Sequence, residues 1–471
     1  MSIRTMTGYN YKWNYNPYAN DDFIINDVTT LLNHDVLREL IEQHKVNQLP
    51  RLEFLESYYL NQNQDILIGQ RRVDDNSQKA DHRATNNYAR FISQFIVGYM
   101  TGNPITFTHN DEEAQQVLRD LNDFNDSDAV DSEISLNLSI YGRAYEIVFR
   151  NEDGEDKFLP LDPKNTFVVY NNDIDKKVIA GIRYYTLRDN NGYLVEYADI
   201  YTSEKIYNVR MREGKYEEYN ETKHYFNDVP IIEYVNDKFK QGDFENVISL
   251  IDLYDASQSD TANYMTDLND AVLVIVGGDD LDSEEAVRWR QANMVHLQPG
   301  VTANGAEGKV DAKYIYKQYD VQGSEAYKQR LEDDIHKFSN TPDLSDDAFS
   351  GTQSGEAMKY KLFGLEQKMA TKMRYFRKGL MKRYKLLFTI KNIESSRKLE
   401  YSDINIQFTP NLPKAIKESV DIFNALNGGV SEKTRLSQLP FIDNPDEEIE
   451  QMKKEELEYR NATDQLDYPT E

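Results

Sequence analysis

Apolar positions recur at helical spacing in the first and last parts of this chain and alternate with polar ones in between. Asp27 is placed to cap a helix over about Val28–His44, whose apolar side is Leu31, Leu32, Leu37, Leu40 and Ile41. Leu49–Leu60 predicts a second helix with Pro50 in its first turn, and the polar Asp65–Ala84 reads as a loop. Asn86–Tyr99, Glu112–Phe124 and Asp128–Tyr141 predict three more helices, with a strand at Ile105–His109 and a stop at Gly142. From Ala144 to Phe226 the period becomes two. AYEIVF, KFLPLD, TFVVY, VIAGIRYYTL, LVEYADIYT and KIYNVRM read as short strands parted by DG, NN and NNG turns. Pro230 and the polar Asn236–Asp243 mark a boundary.

Phe244–Asp270 predicts a long helix with an interrupted apolar face of Val247, Leu250, Ile251, Tyr254, Tyr264 and Leu268. Its middle, DASQSDTAN at Asp255–Asn263, is too polar for a monomeric core. Buried polar groups need partners, so this stretch is expected to face a channel or like helices of neighbouring copies. Ala271–Tyr319 reads as a small insertion, with strands at Ala271–Gly278, Met294–Leu297 and Ala312–Ile315 and a short helix in DSEEAVRWRQ. Ser324–Phe338 returns as a helix with Tyr327, Leu331, Ile335 and Phe338 on one stripe. A loop punctuated by Asn340, Pro342 and Gly351 leads to Ser354 and a helix over Glu356–Leu387. A strand at Ile404–Pro410 and a helix at Lys414–Leu426 follow. Ser431 is placed to cap a short helix that turns Leu436 and Leu439 inward, and Glu447–Tyr459 reads as a solvated helix. These elements make an α+β fold, and 471 residues suffice for several cores.

The formal charge of −27, from 81 acidic and 54 basic side chains, argues against a tight, static nucleic-acid binder, because phosphate neutralisation drives such affinity. It leaves room for a wall of like charge along which DNA slides. The absence of Cys excludes disulfides and thiolate chemistry and fits a reducing cytoplasm. No apolar run predicts an export signal or a membrane span. Tyr is common, at 33 residues, and suits polar interfaces.

No catalytic or cofactor constellation assembles. His34, His44, His82, His109, His224, His296 and His336 lack zinc spacing, so each reads as surface or structural. The acidic runs Asp279–Asp282 and Asp346–Asp347 lack calcium-loop alternation and read as solvated. GTQSGEAM at Gly351–Met358 lacks the GK[ST] ending of a phosphate loop, so no ATPase activity is assigned. Lys359–Lys385 is sharper, with ten basic residues against one acid, Glu366. Lys361, Lys368, Lys372, Arg374, Arg377, Lys378, Lys382 and Arg383 wrap around more than one helical face, while Leu362, Leu365, Met369, Met373, Phe376 and Leu380 form the buried stripe. Those cations either pair with acids on this protein or a neighbour, or touch phosphates.

NDKFKQGDFENVISLIDLYDASQSDTANYMTDLNDAVLVI at Asn236–Ile275 and the segment from Pro342 through Met369 resemble bacteriophage portal proteins. The likeness is to those of long-tailed double-stranded DNA phages, especially of Gram-positive hosts, and runs roughly from Asp27 to Leu439. It implies a ring subunit with an N-terminal arm (1–26), a wing (27–235 and 356–430), stem helices (236–270 and 321–340), an α/β clip (271–320), a tunnel loop (341–355) and a helical crown with an acidic tail (431–471). It further implies a closed ring, twelve-fold at one capsid vertex of the virion and assembled in the host cytoplasm, that passes double-stranded DNA during packaging and ejection. The clip would dock terminase and then head-completion adaptors; capsid or scaffolding protein would be a further partner, with no membrane and no cofactor. Within the loop, Asp346, Asp347, Ser350, Thr352, Gln353 and Ser354 are the channel candidates. Two rival readings stand beside it: a non-portal structural or adaptor protein of a large assembly, which needs no DNA passage, and a nuclease or ATPase component of the packaging motor.

Overall fold

The computed structural model describes residues 18–69, 80–189, 191–212, 214–267, 272–276, 287–289, 294–297, 311–315, 320–343, 355–395, 398–411, 416–439, 442, 445, 448–455 and 457. The fold is α+β. A larger compact unit comprises residues 1–343 and 364–409, and a smaller one 344–363 and 410–471.

In the larger unit, strand β1 (Phe23–Ile24) is followed by helices α1 (Val28–Leu31) and α2 (His34–Gln43). Asp27 caps α1 by accepting from the Thr30 N–H at 2.8 Å, but the chain breaks at Leu32 and Asn33 caps α2 afresh. The expected single helix is therefore two. A π-turn at His44–Gln48 joins α2 to α3 (Leu49–Tyr59), where Pro50 sits in the first turn. That turn aims His44 at the Tyr184 hydroxyl and lets buried Gln48 accept from Arg143 while donating to the Asp21 carbonyl. Helices α4 (Gln64–Ile68), α5 (Tyr88–Thr101), α6 (Glu112–Asn125) and α7 (Ser127–Tyr141) follow, with strand β2 (Thr106–Thr108) between α5 and α6. Gly142 ends α7 at φ +78°; a Cβ there would lie 2.1 Å from the Lys240 carbonyl oxygen, so only glycine fits.

The alternating stretch forms β3 (Arg143–Arg150), β4 (Asp156–Leu161), β5 (Thr166–Tyr170), β6 (Val178–Arg188), β7 (Leu194–Tyr201), β8 (Lys205–Arg212), β9 (Lys215–Lys223) and β10 (Ile231–Val235). Five of these strands join β1 in the order β1-β5-β6-β7-β8-β9, and the other three order as β10-β3-β4. On the inner face of the larger sheet, Phe167, Val169, Ala180, Ile182, Tyr184, Ala198, Ile200 and Val209 pack against Leu31, Leu37, Leu40 and Ile41. Period-two strands thus meet a period-3.6 helix stripe, each fully buried large side chain contributing about 1.5–3 kcal/mol. The sequence reading lacked β9 and β10. KYEEYNETK shows only Tyr216 to the core, and β10 lies just past Pro230.

Beyond β10 come α8 (Ile248–Asp267), a three-stranded sheet of β11 (Val272–Val276), β12 (Met294–Leu297) and β13 (Asp311–Ile315) in the order β12-β11-β13, and α9 (Val321–Ser339). α8 and α9 pack together. On α9 the buried stripe is Lys328, Leu331, Ile335 and Ser339; Tyr327 and Phe338, expected inside, are half exposed. Helix α10 spans Gly355–Glu394, running past the predicted end at Leu387, and strand β14 (Asn405–Gln407) pairs antiparallel with β2. In the smaller unit lie α11 (Ile416–Ala425) and α12 (Glu432–Leu436), the latter capped by Ser431 with Leu436 and Leu439 buried.

Candidate functional site

Helix α10 carries the cationic cluster, and its apolar stripe lies where the spacing put it except at Met373: Leu362, Leu365, Met369, Phe376 and Leu380 are buried, and Met373 is half-buried. Gly379 permits the closest approach. A Cβ there would sit 2.2 Å from the Tyr234 ring, so the missing side chain lets α10 lie directly on β10. This contact delivers Arg383 into the core of the larger unit. Its Nη2 donates to Asp131 at 2.6 Å and lies 2.7 Å from Glu146, all three fully buried, with the guanidinium carbon 4.3 Å from the Phe158 ring centroid. Glu146 also accepts from the Tyr234 hydroxyl at 2.7 Å. Two carboxylates thus share one cation. Burial, with the Glu146 charge adding to it and Arg383 opposing, pushes the Asp131 carboxyl up to about 6.

Nearer the start of α10, Lys372 donates to Asp243 Oδ2 at 2.6 Å, and Lys368 lies 3.2 Å from Oδ1. Lys368 also donates to the carbonyls of Asp243 and Ser339, at 3.2 and 3.0 Å. Asn236 donates to Asp243 as well, and the Asp243 N–H reaches the Ser139 carbonyl. Burial would raise the Asp243 carboxyl, but Lys368 and Lys372 outweigh it and hold it well below the usual carboxylate range. Through its N–H, its carboxylate and the shared Lys368, Asp243 therefore ties α7, the segment before α8, the end of α9 and α10 together. Sequence reasoning had Asn236–Asp243 only as a boundary; the signal lay in an Asp just ahead of a long helix.

The remaining candidates divide. Lys382 is drawn below the ordinary lysine range by burial, against the pull of Asp228, and faces the Ile231 carbonyl at 3.5 Å. Arg377 donates to the Ile406 carbonyl at 2.7 Å. Arg374 and Lys378 are exposed and have no carboxylate partner among the described residues. The Lys361 side chain, and all of Asp346, Asp347, Ser350, Thr352, Gln353 and Ser354, lie outside the described residues. For Lys368, Lys372 and Arg383 the geometry is that of internal ion pairs, not of a phosphate-facing row.

The polar stretch of α8 is corrected outright. Its buried stripe is Asp252, Asp255, Ser259 and Asn263, and the partners belong to the same chain. Asn263 Oδ1 accepts from the His82 N–H at 2.5 Å, Ser259 Oγ from the Ala84 N–H at 2.9 Å, and Asp255 Oδ1 from the Asn86 N–H at 2.8 Å. Asn63 and Tyr58 donate to Asp255 and Asp252, each at 2.5 Å. The spacing explains the fit. Four residues of helix rise about 6 Å, and two residues of extended chain advance about 6.6 Å. Alternate N–H groups of residues 82–86 therefore meet helix side chains one turn apart. Neighbouring copies are not needed to satisfy this face.

Among the described residues no three His, Asp or Glu side chains converge as a metal site, and no helix is long and apolar enough to cross a membrane. Residues 38–461 match the family model for phage portal protein, SPP1 Gp6-like. The portal protein of Bacillus phage SPP1 is 25% identical over 459 residues, covering 90% of this chain and 86% of that protein. The portal protein of Clostridium phage phiCD119 (strain Clostridium difficile/United States/Govind/2006) is 24% identical over 449 residues, covering 89% and 95%.

Proposed function

Because this chain belongs to the SPP1 Gp6-like family of phage portal proteins, we propose that copies of it close into the ring through which double-stranded DNA enters and leaves a phage head. Its role is structural, as a portal protein and capsid component of the virion. The finer reading is a twelve-fold ring at one vertex, with terminase docking during packaging and a head-completion adaptor afterwards. Residues 27–235 and 356–430 make the wing, 236–270 and 321–340 the stem, 271–320 the clip, 341–355 the tunnel loop and 431–471 the crown, with 1–26 an arm.

The observation that supports this most is architectural. Two packed helices, α8 and α9, bracket a small three-stranded sheet within a chain matched to the family from residue 38 to 461. A closed ring multiplies each loop into a collar. Duplex DNA carries a charge about every 1.7 Å, so many weak, sequence-blind contacts suit translocation. In that collar Asp346 and Asp347 repel phosphate, while Ser350, Thr352, Gln353 and Ser354 make transient backbone contacts.

Electron microscopy of purified full-length particles, viewed down the symmetry axis, tests the reading. A closed annulus with a bore is expected; a stable solitary subunit under capsid-assembly conditions overturns it. Shortening 344–354 is expected to abolish packaging while leaving subunit melting unchanged, and normal packaging by that variant would remove the loop assignment.

A further inference from the structure

We infer that the groove between α10 and β14 is an inter-subunit contact that receives carboxylates from a second copy of this chain. The inference rests on the ring reading above and locates one of its contacts. The groove encloses about 600 Å³. Ala370 and Met373 of α10, with Ile406 and Phe408 on the β14 side, form the apolar half of its lining, and Arg374, Arg377, Asn405 and Gln407 the polar half. Phe408 is held by an edge contact with Phe376 at 6.0 Å between ring centroids. Among the described residues β14 has a strand partner on one side only, β2.

Charge supplies the argument for the occupant. Along residues 364–394, Lys368, Lys372, Arg383, Lys385 and Lys391 each pair with a carboxylate, while Arg377 and Lys382 face carbonyls. Arg374 and, one turn on, Lys378 stand out: both are exposed and without an acid among the described residues, in a chain with an excess of 27 negative charges. Like-charged copies associate where their few uncompensated cations meet the abundant carboxylates of the neighbour. Between a protein and a nucleic-acid occupant, the apolar half of the lining favours protein. Apolar side chains beside arginine match the desolvated centre of a protein interface, whereas duplex phosphates are contacted by polar and charged groups.

The test is Arg374→Glu/Lys378→Glu in the full chain, with assembly followed by light scattering and imaging across a concentration series. The expected result is a rise of about tenfold or more in the concentration for half-assembly, with unchanged subunit melting. The charge-preserving Arg374→Lys/Lys378→Arg variant should assemble as the parent does. Rings of the Glu variant forming at the parental concentration would overturn the inference and leave the portal reading standing. Parental assembly combined with lost DNA protection in a packaging assay would also overturn it, by assigning the patch to DNA. Failure of the parent chain itself to form rings at any concentration would remove both readings.

Discussion

Helices α8 and α10 both turn polar groups into the protein, yet they satisfy them by different means. On α8 the buried acceptors Asp255, Ser259 and Asn263 meet backbone N–H groups of residues 82–86, and two of the three, Ser259 and Asn263, are neutral. On α10 the buried donors Lys372 and Arg383 meet the carboxylates of Asp243, Asp131 and Glu146. The first arrangement depends on spacing, the second on charge balance. A lost partner on α8 strands a neutral dipole, whereas a lost partner on α10 strands an ion.

The largest expected effect follows from that difference. Arg383→Met should cost about 3–5 kcal/mol in a denaturant titration, because it leaves Asp131 and Glu146 buried without their cation. A cost below about 1 kcal/mol would mean that the carboxylates find water and that the α10 pairs are no more demanding than the α8 contacts.

Two acids on the α10 side should show opposite pH signatures. Asp243 has its folded pKa depressed, so its contribution is present above the unfolded value of about 3.9 and disappears as pH falls below it. Asp131 has its folded value raised to about 6, so its contribution is full below about 3.9 and is lost as pH rises through 6. Stability profiles of Asp243→Asn and Asp131→Asn against the parent should diverge in those separate windows. Parallel profiles between pH 4 and 7 would refute the Asp131 assignment.

On α8 the effects should be smaller. Ser259→Ala is expected to cost about 1–3 kcal/mol by leaving the Ala84 N–H unpaired, with faster hydrogen exchange at that amide. Unchanged exchange there would break the proposed match of spacings. At the bottom of the scale, Lys378→Ala should alter subunit stability by no more than about 0.5 kcal/mol, since its head is exposed and has no partner acid.

Much of the fold was legible because local pattern and tertiary burial agree. Leu37, Leu40 and Ile41 on α2, the strands from Ala144 onward, and the α10 stripe apart from Met373 face inward at the predicted period. The α8 stripe was misread for a physical reason. Its partners are main-chain N–H groups about 180 positions away in sequence, which leave no mark in side-chain identity. Tyr327 and Phe338 fit the period of α9 but lie off the arc defined by Leu331 and Ile335. The cationic run on α10 was visible, but which of its members were compensated depended on acids from α7, β3 and the segment before α8.

Lys368 touches both the Ser339 carbonyl at the end of α9 and Asp243, which also binds Lys372. Ser339 and Lys368, 29 positions apart in sequence, are thereby stapled to one buried anchor. Loss of the Asp243 carboxylate therefore loosens the end of α9 and the middle of α10 together.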